Sequence, residues 1–214
     1  MSDAYLAPAA SHRYVLDLVR SADRDRFLGA LFAHEPARRD LLALLAFNHE
    51  LARTRSVTRE PMLARIRLEW WREAVAEAAS AGKPRAQPIV ESLSETVRRH
   101  RLRPQDLFAL IDAREEEIEG PLDVLRAGHA LADLELAVLG VGDETSRRAA
   151  RGVAAAWLMG EGPERDTMLG EARALRRAVD PSALPILLPA LSLGDIGAWR
   201  KPLAYWWAAR RGRY

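Results

Sequence analysis

An all-α fold is predicted by three features of the 214-residue sequence. Apolar residues recur at three- and four-residue steps, no stretch alternates with a period of two, and Gly and Pro fall between the helical stretches. The first helices are predicted at Ala9–Ala22 and Asp25–Phe32. The next covers Ala37–Arg53, where Leu41, Leu44, Leu45 and Ala52 hold helical spacing. A polar break at Arg55 to Glu60 then precedes Pro61, a residue suited to the first turn of the following helix, Met62–Ala79. Gly82-Lys83-Pro84 separates that helix from Ile89–His100, and Arg103-Pro104 opens Pro104–Glu119. Gly120-Pro121 and Gly140-Val141-Gly142 bracket Val124–Leu139. Thr145–Met159 ends at Gly160-Glu161-Gly162-Pro163, Asp166–Val179 ends at Asp180-Pro181, and a short helix is expected at Pro202–Arg211. No internal repeat or low-complexity linker interrupts the chain, so a single domain is expected over residues 1–214.

Composition narrows the function classes. With 49% hydrophobic residues and no run of about 20 uncharged apolar residues, a soluble protein with a substantial core is expected, not a membrane-spanning one. Lys and Arg number 32 against 30 Asp and Glu, and a formal charge of +2 gives no electrostatic footprint for nucleic acid. The absence of cysteine excludes disulfides, thiolate nucleophiles and Cys-ligated zinc. The N-terminal MSDAYLAPAASHR lacks a basic start followed by an apolar run, so cytoplasmic residence is the expectation.

The run from Arg24 to Val75 carries the strongest motifs: Ala46-Phe47-Asn48, Glu50-Leu51-Ala52, Glu60-Pro61-Met62 and Arg67-Leu68-Glu69-Trp70-Trp71-Arg72. Leu110-Ile111-Asp112-Ala113-Arg114 continues the pattern more weakly. This stretch resembles the squalene/phytoene synthase family, and within it the branch that includes a mitochondrial complex I assembly factor. The resemblance implies an isoprenoid synthase-like helical bundle, here C-terminally shortened.

Enzymes of this family use two acidic helical segments facing across a cavity to hold Mg²⁺ on a prenyl diphosphate, a role suited to carboxylate oxygens. Alignment on Ala46-Phe47 places Ala52, Arg53 and Ser56 where the first set of acids is expected. A guanidinium repels Mg²⁺, although Arg53 or Arg55 is suited to pairing with a diphosphate or with a neighbouring acid. In the second segment Gly152 aligns with a helix glycine and puts Met159 at the asparagine position. Glu161, Glu164 and Asp166 follow only behind a Gly-Pro break.

Other candidates are weaker. His49-Glu50-Leu51-Ala52-Arg53 approaches the HExxH zinc motif, but Arg53 occupies the second ligand position and cannot coordinate zinc. Asp112, Glu115, Glu116 and Glu119 share one helix side; a solvated acidic face explains them better than a metal site. Trp70 continues the four-residue row of Met62 and Ile66 and is expected in the core, leaving Trp71 as an outward aromatic for a partner or diphosphate contact. Trp206, Trp207, Arg210 and Arg211 suit contact with an anionic membrane surface, against a simpler reading as a docked terminal helix with a basic fringe.

The reading that unites these observations is a catalytically degenerate member of the family acting as a binding or assembly factor. Its partner is a protein or an unreacted isoprenoid, with no nucleic acid, no cofactor and a candidate peripheral contact at the inner membrane. The alternative is an active prenyl-diphosphate transferase of the squalene or phytoene synthase type, using noncanonical Mg²⁺ ligands.

Overall fold

The computed structural model describes residues 5–58, 60–194 and 197–214. Among them there is no strand, as the periodicity predicts. The order is α1 (Ala9–Ala22), α2 (Arg24–Ala30), α3 (Ala37–Val57), α4 (Pro61–Ala79), α5 (Pro88–His100), α6 (Pro104–Glu116), α7 (Val124–Leu139), α8 (Glu144–Leu158) and α9 (Pro163–Ala174). A 3-10 turn at Pro181–Ala183, α10 (Leu184–Leu187), a second 3-10 stretch at Leu188–Leu193 and α11 (Lys201–Arg210) complete it.

Several boundaries differ from the sequence pattern for local reasons. α3 runs past Arg53 to Val57, with Thr54 buried on its last turn and the Arg55 guanidinium bound to the carbonyls of Glu117 and Gly120. α6 stops at Glu116 because the N–H groups of Ile118 and Glu119 bond to carbonyls three residues back. α9 starts at Pro163, whose fixed φ suits a first helical turn. Beyond the break at Asp180-Pro181, Pro181, Pro185 and Pro189 each lie in the first two residues of a short helical turn, where no N–H is required.

The chain packs as two compact units, one of Met1–Ala22 with Arg39–Asp123 and one of Asp23–Arg38 with Val124–Tyr214. In the first unit, α5 packs on α1 and α4, and α4 also packs on α6. The inward face of α4 is the row Ala64, Leu68, Trp71, Val75 and Ala78, with Phe47 of α3 meeting Trp71 edge-on at 5.4 Å. This reverses the expected roles of the two tryptophans: Trp71 is 2% exposed, and Trp70 is 37% exposed. Two parallel apolar rows compete on α4. The Leu68 row wins the core, and the row of Met62, Ile66 and Trp70 faces out.

In the second unit, α7 crosses α8 at Gly128. A Cβ there would lie 2.6 Å from the Ala155 nitrogen and 2.7 Å from its Cα, so backbone rather than a flexible side chain stands in the way. The cluster behind the crossing includes Ala132, Leu136, Val153, Leu169, Leu187 and Tyr214. Leu188, Tyr205 and Ala208 form a smaller cluster with Leu28 and Phe32. Gly128→Ala is expected to destabilise by about 1–3 kcal/mol through overpacking. Gly152→Ala, whose Cβ would meet only ordinary contacts from 3.5 Å outward, is expected to be neutral or to stabilise by up to about 1 kcal/mol. Thermal melts of the two variants check the contrast, and equal midpoints would show that the crossing is not tight.

Candidate functional site

The end of α3 and the start of α4 hold the positions where the sequence motifs place a diphosphate-metal site. Glu50, 6% exposed, is the carboxylate within this stretch of α3. It is already committed: Arg53 Nη1 donates to Oε1 at 2.6 Å and Arg67 Nη2 donates to Oε2 at 2.7 Å. Arg53 and Glu50, the two residues of the HExxH-like run that differ most in charge, are therefore bound to each other. Ala52 is half-buried and carries no ligand atom. Ser56 is exposed and its hydroxyl donates to the Arg53 carbonyl at 2.8 Å. Arg55 lines a recess of about 350 Å³ with Thr58, Glu60, Pro61, Ala64 and Ile118.

The acidic side of α6 is divided among arginines. Arg72 Nη2 donates to Asp112 at 2.9 Å and to Glu115 at 3.0 Å, and Arg65 binds Glu119. Among the described residues, no three His, Asp or Glu side chains converge in a way that would hold a metal ion. Glu161 and Asp166 are highly exposed, with side chains 92% and 70% accessible, and Met159 caps the end of α8. The residues at the positions that the sequence resemblance assigns to the metal do not fit a magnesium ion: Ala52 is apolar, Arg53 is cationic, the Ser56 hydroxyl is turned onto its own helix, and the nearby Glu50 is held by two guanidinium groups.

Trp70 is the aromatic at the surface of α4. It stands edge-on to Trp71 at 4.9 Å, and the Arg85 guanidinium lies 4.6 Å from its ring. On α11, Tyr205 is fully buried and Lys201 is bound to Asp25 at 2.6 Å, which docks the helix on α2. Trp206 and Trp207 are turned outward at 44% and 47% exposure, with Arg210 and Arg211 stacked on them at 4.8 and 4.5 Å. The docked helix and the outward aromatic and basic fringe are thus features of one element. No helix among the described residues is long and apolar enough to cross a membrane.

Asp40, Glu95 and Glu135 are buried carboxylates that left no mark in the sequence pattern. Asp40, 2% exposed, accepts Arg99 Nη1 at 2.6 and 2.7 Å, pairs with His100 Nε2 at 2.8 Å and accepts the Thr96 hydroxyl at 3.0 Å. Burial pushes this carboxyl up, but the hydrogen bonds from His100 and Arg99, the Arg99 charge and the Thr96 hydroxyl outweigh it and hold the group below its ordinary range. Of the basic run Arg98-Arg99-His100 at the end of α5, Arg99 and His100 meet this acid, whereas Arg98 donates to the carbonyls of Ala78 and Gly82. Glu135, inside α7, is pushed up to about 7 by burial, with Arg26 opposing the rise and Asp23 adding to it.

The family model for squalene/phytoene synthase matches residues 19–136, more than half of the chain. The chain belongs to the squalene/phytoene synthase family. The rat protein "NADH dehydrogenase (ubiquinone) complex I, assembly factor 6" is 35% identical over 109 residues, covering 51% of this chain and 32% of that protein. Its human namesake is 31% identical over 106 residues, covering 50% and 32%. This family member therefore spans about a third of the length of those relatives, at 32% in each case. The crystal structure of squalene synthase HpnC from Alicyclobacillus acidocaldarius superposes with a TM-score of 0.66 at 14% identity, covering 95% of this chain and 94% of that one. At that identity the likeness is one of fold, the isoprenoid synthase fold.

Proposed function

We propose that this chain is a catalytically degenerate squalene/phytoene synthase-family protein that works as a binding or assembly factor, with a protein of respiratory complex I assembly as its partner. The observation that carries the reading is the state of Glu50. A diphosphate-metal site needs acids with free lone pairs, and this one is held by Arg53 and Arg67 at 2.6 and 2.7 Å, with Ala52 and Ser56 offering none. The relatives named as complex I assembly factors support the partner class. Cytoplasmic residence with peripheral contact at the inner membrane belongs to the same proposal, through Trp206, Trp207, Arg210 and Arg211. The exposed row of Met62, Ile66 and Trp70 supports a protein-binding role, because large apolar side chains grouped on one face mark interaction surfaces.

The test has two halves. Incubation of the purified protein with farnesyl or geranylgeranyl diphosphate and Mg²⁺ is expected to release no pyrophosphate above the buffer rate, and affinity capture is expected to recover subunits of a respiratory NADH dehydrogenase. Sustained, protein-dependent pyrophosphate release would overturn the reading in favour of a transferase. Capture that repeatedly lacks such subunits would remove the partner assignment.

A further inference from the structure

Beside the turn that follows α9, the second unit holds a recess of about 360 Å³ rimmed by Arg176, Arg177, Arg211 and Arg213. Its floor is apolar, made by Val179, Pro181 and Leu184. Among the described residues, no Asp or Glu lines it. That is unusual for a chain with nearly equal numbers of acids and bases. Several arginines elsewhere are matched to carboxylates: Arg72 to Asp112, Arg85 to Glu77, Arg99 to Asp40 and Arg151 to Asp133.

The recess is also built by ordered backbone. Gly212 has φ +58°, the left-handed conformation that ends a helix at low cost only for glycine. The Arg213 N–H bonds to the Ala208 carbonyl at 2.9 Å and the Gly212 N–H to the Ala209 carbonyl at 3.3 Å, closing the end of α11. Tyr214 is 4% exposed and donates its hydroxyl to the Ala172 carbonyl at 2.9 Å, which pins this turn against α9. Arg211 is steadied on the Trp207 ring at 4.5 Å, and Arg176 bonds to the Arg173 carbonyl at 3.1 Å.

We infer that this recess is a binding site for a phosphate-bearing anion, either a free phosphate or the phosphate of a lipid headgroup. Four arginines line one small space with no carboxylate among its described lining residues, so positive charge gathers there that an anion would offset. A phosphate group, with its several oxygens and up to two negative charges, accepts more of their planar donor pairs than a carboxylate does. The apolar floor lets the rest of the ligand sit without leaving polar groups unpaired. The site shares no residue with the α3–α4 region and does not rest on the state of Glu50; Arg211 also belongs to the proposed membrane fringe, and Arg177→Glu with Arg213→Glu, which leaves Trp206, Trp207, Arg210 and Arg211 in place, separates the recess from that fringe.

The experiment uses the full chain in three arms at matched ionic strength: calorimetric titration with sodium phosphate, the same titration with sodium acetate, and flotation on phosphatidylcholine vesicles with and without phosphatidic acid. The parent is expected to bind phosphate, phosphatidic acid vesicles or both, and to ignore acetate. Binding only in solution identifies a free phosphate, and binding only on vesicles identifies the headgroup. The pair Arg177→Glu and Arg213→Glu is expected to weaken binding about tenfold or more, as is the milder Arg177→Gln with Arg213→Gln. Arg13→Glu with Arg24→Glu, an equal charge change at other exposed positions, is expected to leave it intact. No binding in either phosphate arm, equal binding of acetate, or equal loss in the control pair would overturn the site. A cooperative thermal melt confirms that each variant is folded.

Discussion

Replacing Asp40 by alanine is expected to lower stability by about 3–5 kcal/mol, the scale seen when one partner of a buried ion pair is removed. Asp40 holds both Nη1 contacts of Arg99, the ring of His100 and the hydroxyl of Thr96 within 2.6 to 3.0 Å. Its loss leaves Arg99 and His100, whose side chains are only 27% and 18% accessible, beside a cavity with no anion. Arg99 retains Glu95, so its charge is not wholly uncompensated, and the lower half of the range is favoured if that pair tightens. In thermal melting the loss corresponds to roughly 10 °C. Asp40→Asn preserves volume and the Thr96 contact and is expected to cost less than alanine. A midpoint within about 2 °C of the parent for Asp40→Ala would refute a structural role for the network.

The same network gives a pH signature with a definite sign. A carboxyl whose folded value lies below its unfolded value of 3.8 contributes stability that is fully present above that value. The contribution is lost as pH falls through the folded value. Asp40 therefore ties α3 to α5 throughout the neutral range and releases them only in acid.

How much of this was legible in the sequence depends on which physical signal each feature leaves. Helices leave a period, and the order of the helical elements up to α9 could be read from Gly-Pro punctuation and apolar spacing. Partition between two apolar rows leaves none. Met62, Ile66 and Trp70 satisfy helical spacing as well as Ala64, Leu68 and Trp71 do, and tertiary neighbours, α5, α6 and the Phe47 ring against Trp71, decide which row is buried. That Ala52, Arg53 and Ser56 offer no carboxylate was legible from the residue types themselves, because chemistry, not packing, decides which side chains can hold a metal. That Glu50 is spent on Arg67 was not, because the pairing joins residues 17 apart across two helices. The arginine recess is longer-range still, as Arg176 and Arg213 are brought together by the burial of Tyr214 under α9.

Replacing Glu135 by glutamine is expected to stabilise the protein at pH 8 by roughly 3 kcal/mol and to do nothing at pH 4.5. Glu135 is 6% exposed in α7, and its carboxyl is pushed from 4.5 up to about 7, first by burial. The cation that opposes the rise, Arg26, is shared. Its backbone N–H caps onto Asp23 at 3.2 Å, its side chain bonds to the same carboxylate, and its guanidinium lies 5.5 Å from the Trp157 ring. Asp23 itself adds negative charge, so Glu135 gains little net compensation. Between pH 4.5 and 7 the folded chain holds a proton that the unfolded chain has lost. Stability is therefore greatest below 4.5, declines as pH climbs to about 7 and levels off above it. At about 1.4 kcal/mol per pH unit, that interval accounts for the roughly 3 kcal/mol. Glutamine keeps the shape and carries no charge to desolvate, so its curve is flat where the parent's falls. Urea unfolding of both proteins from pH 4.5 to 8 measures the difference directly, and parallel curves across that window would mean that Glu135 is ionised in the folded chain at no cost, with Arg26 serving it rather than Asp23.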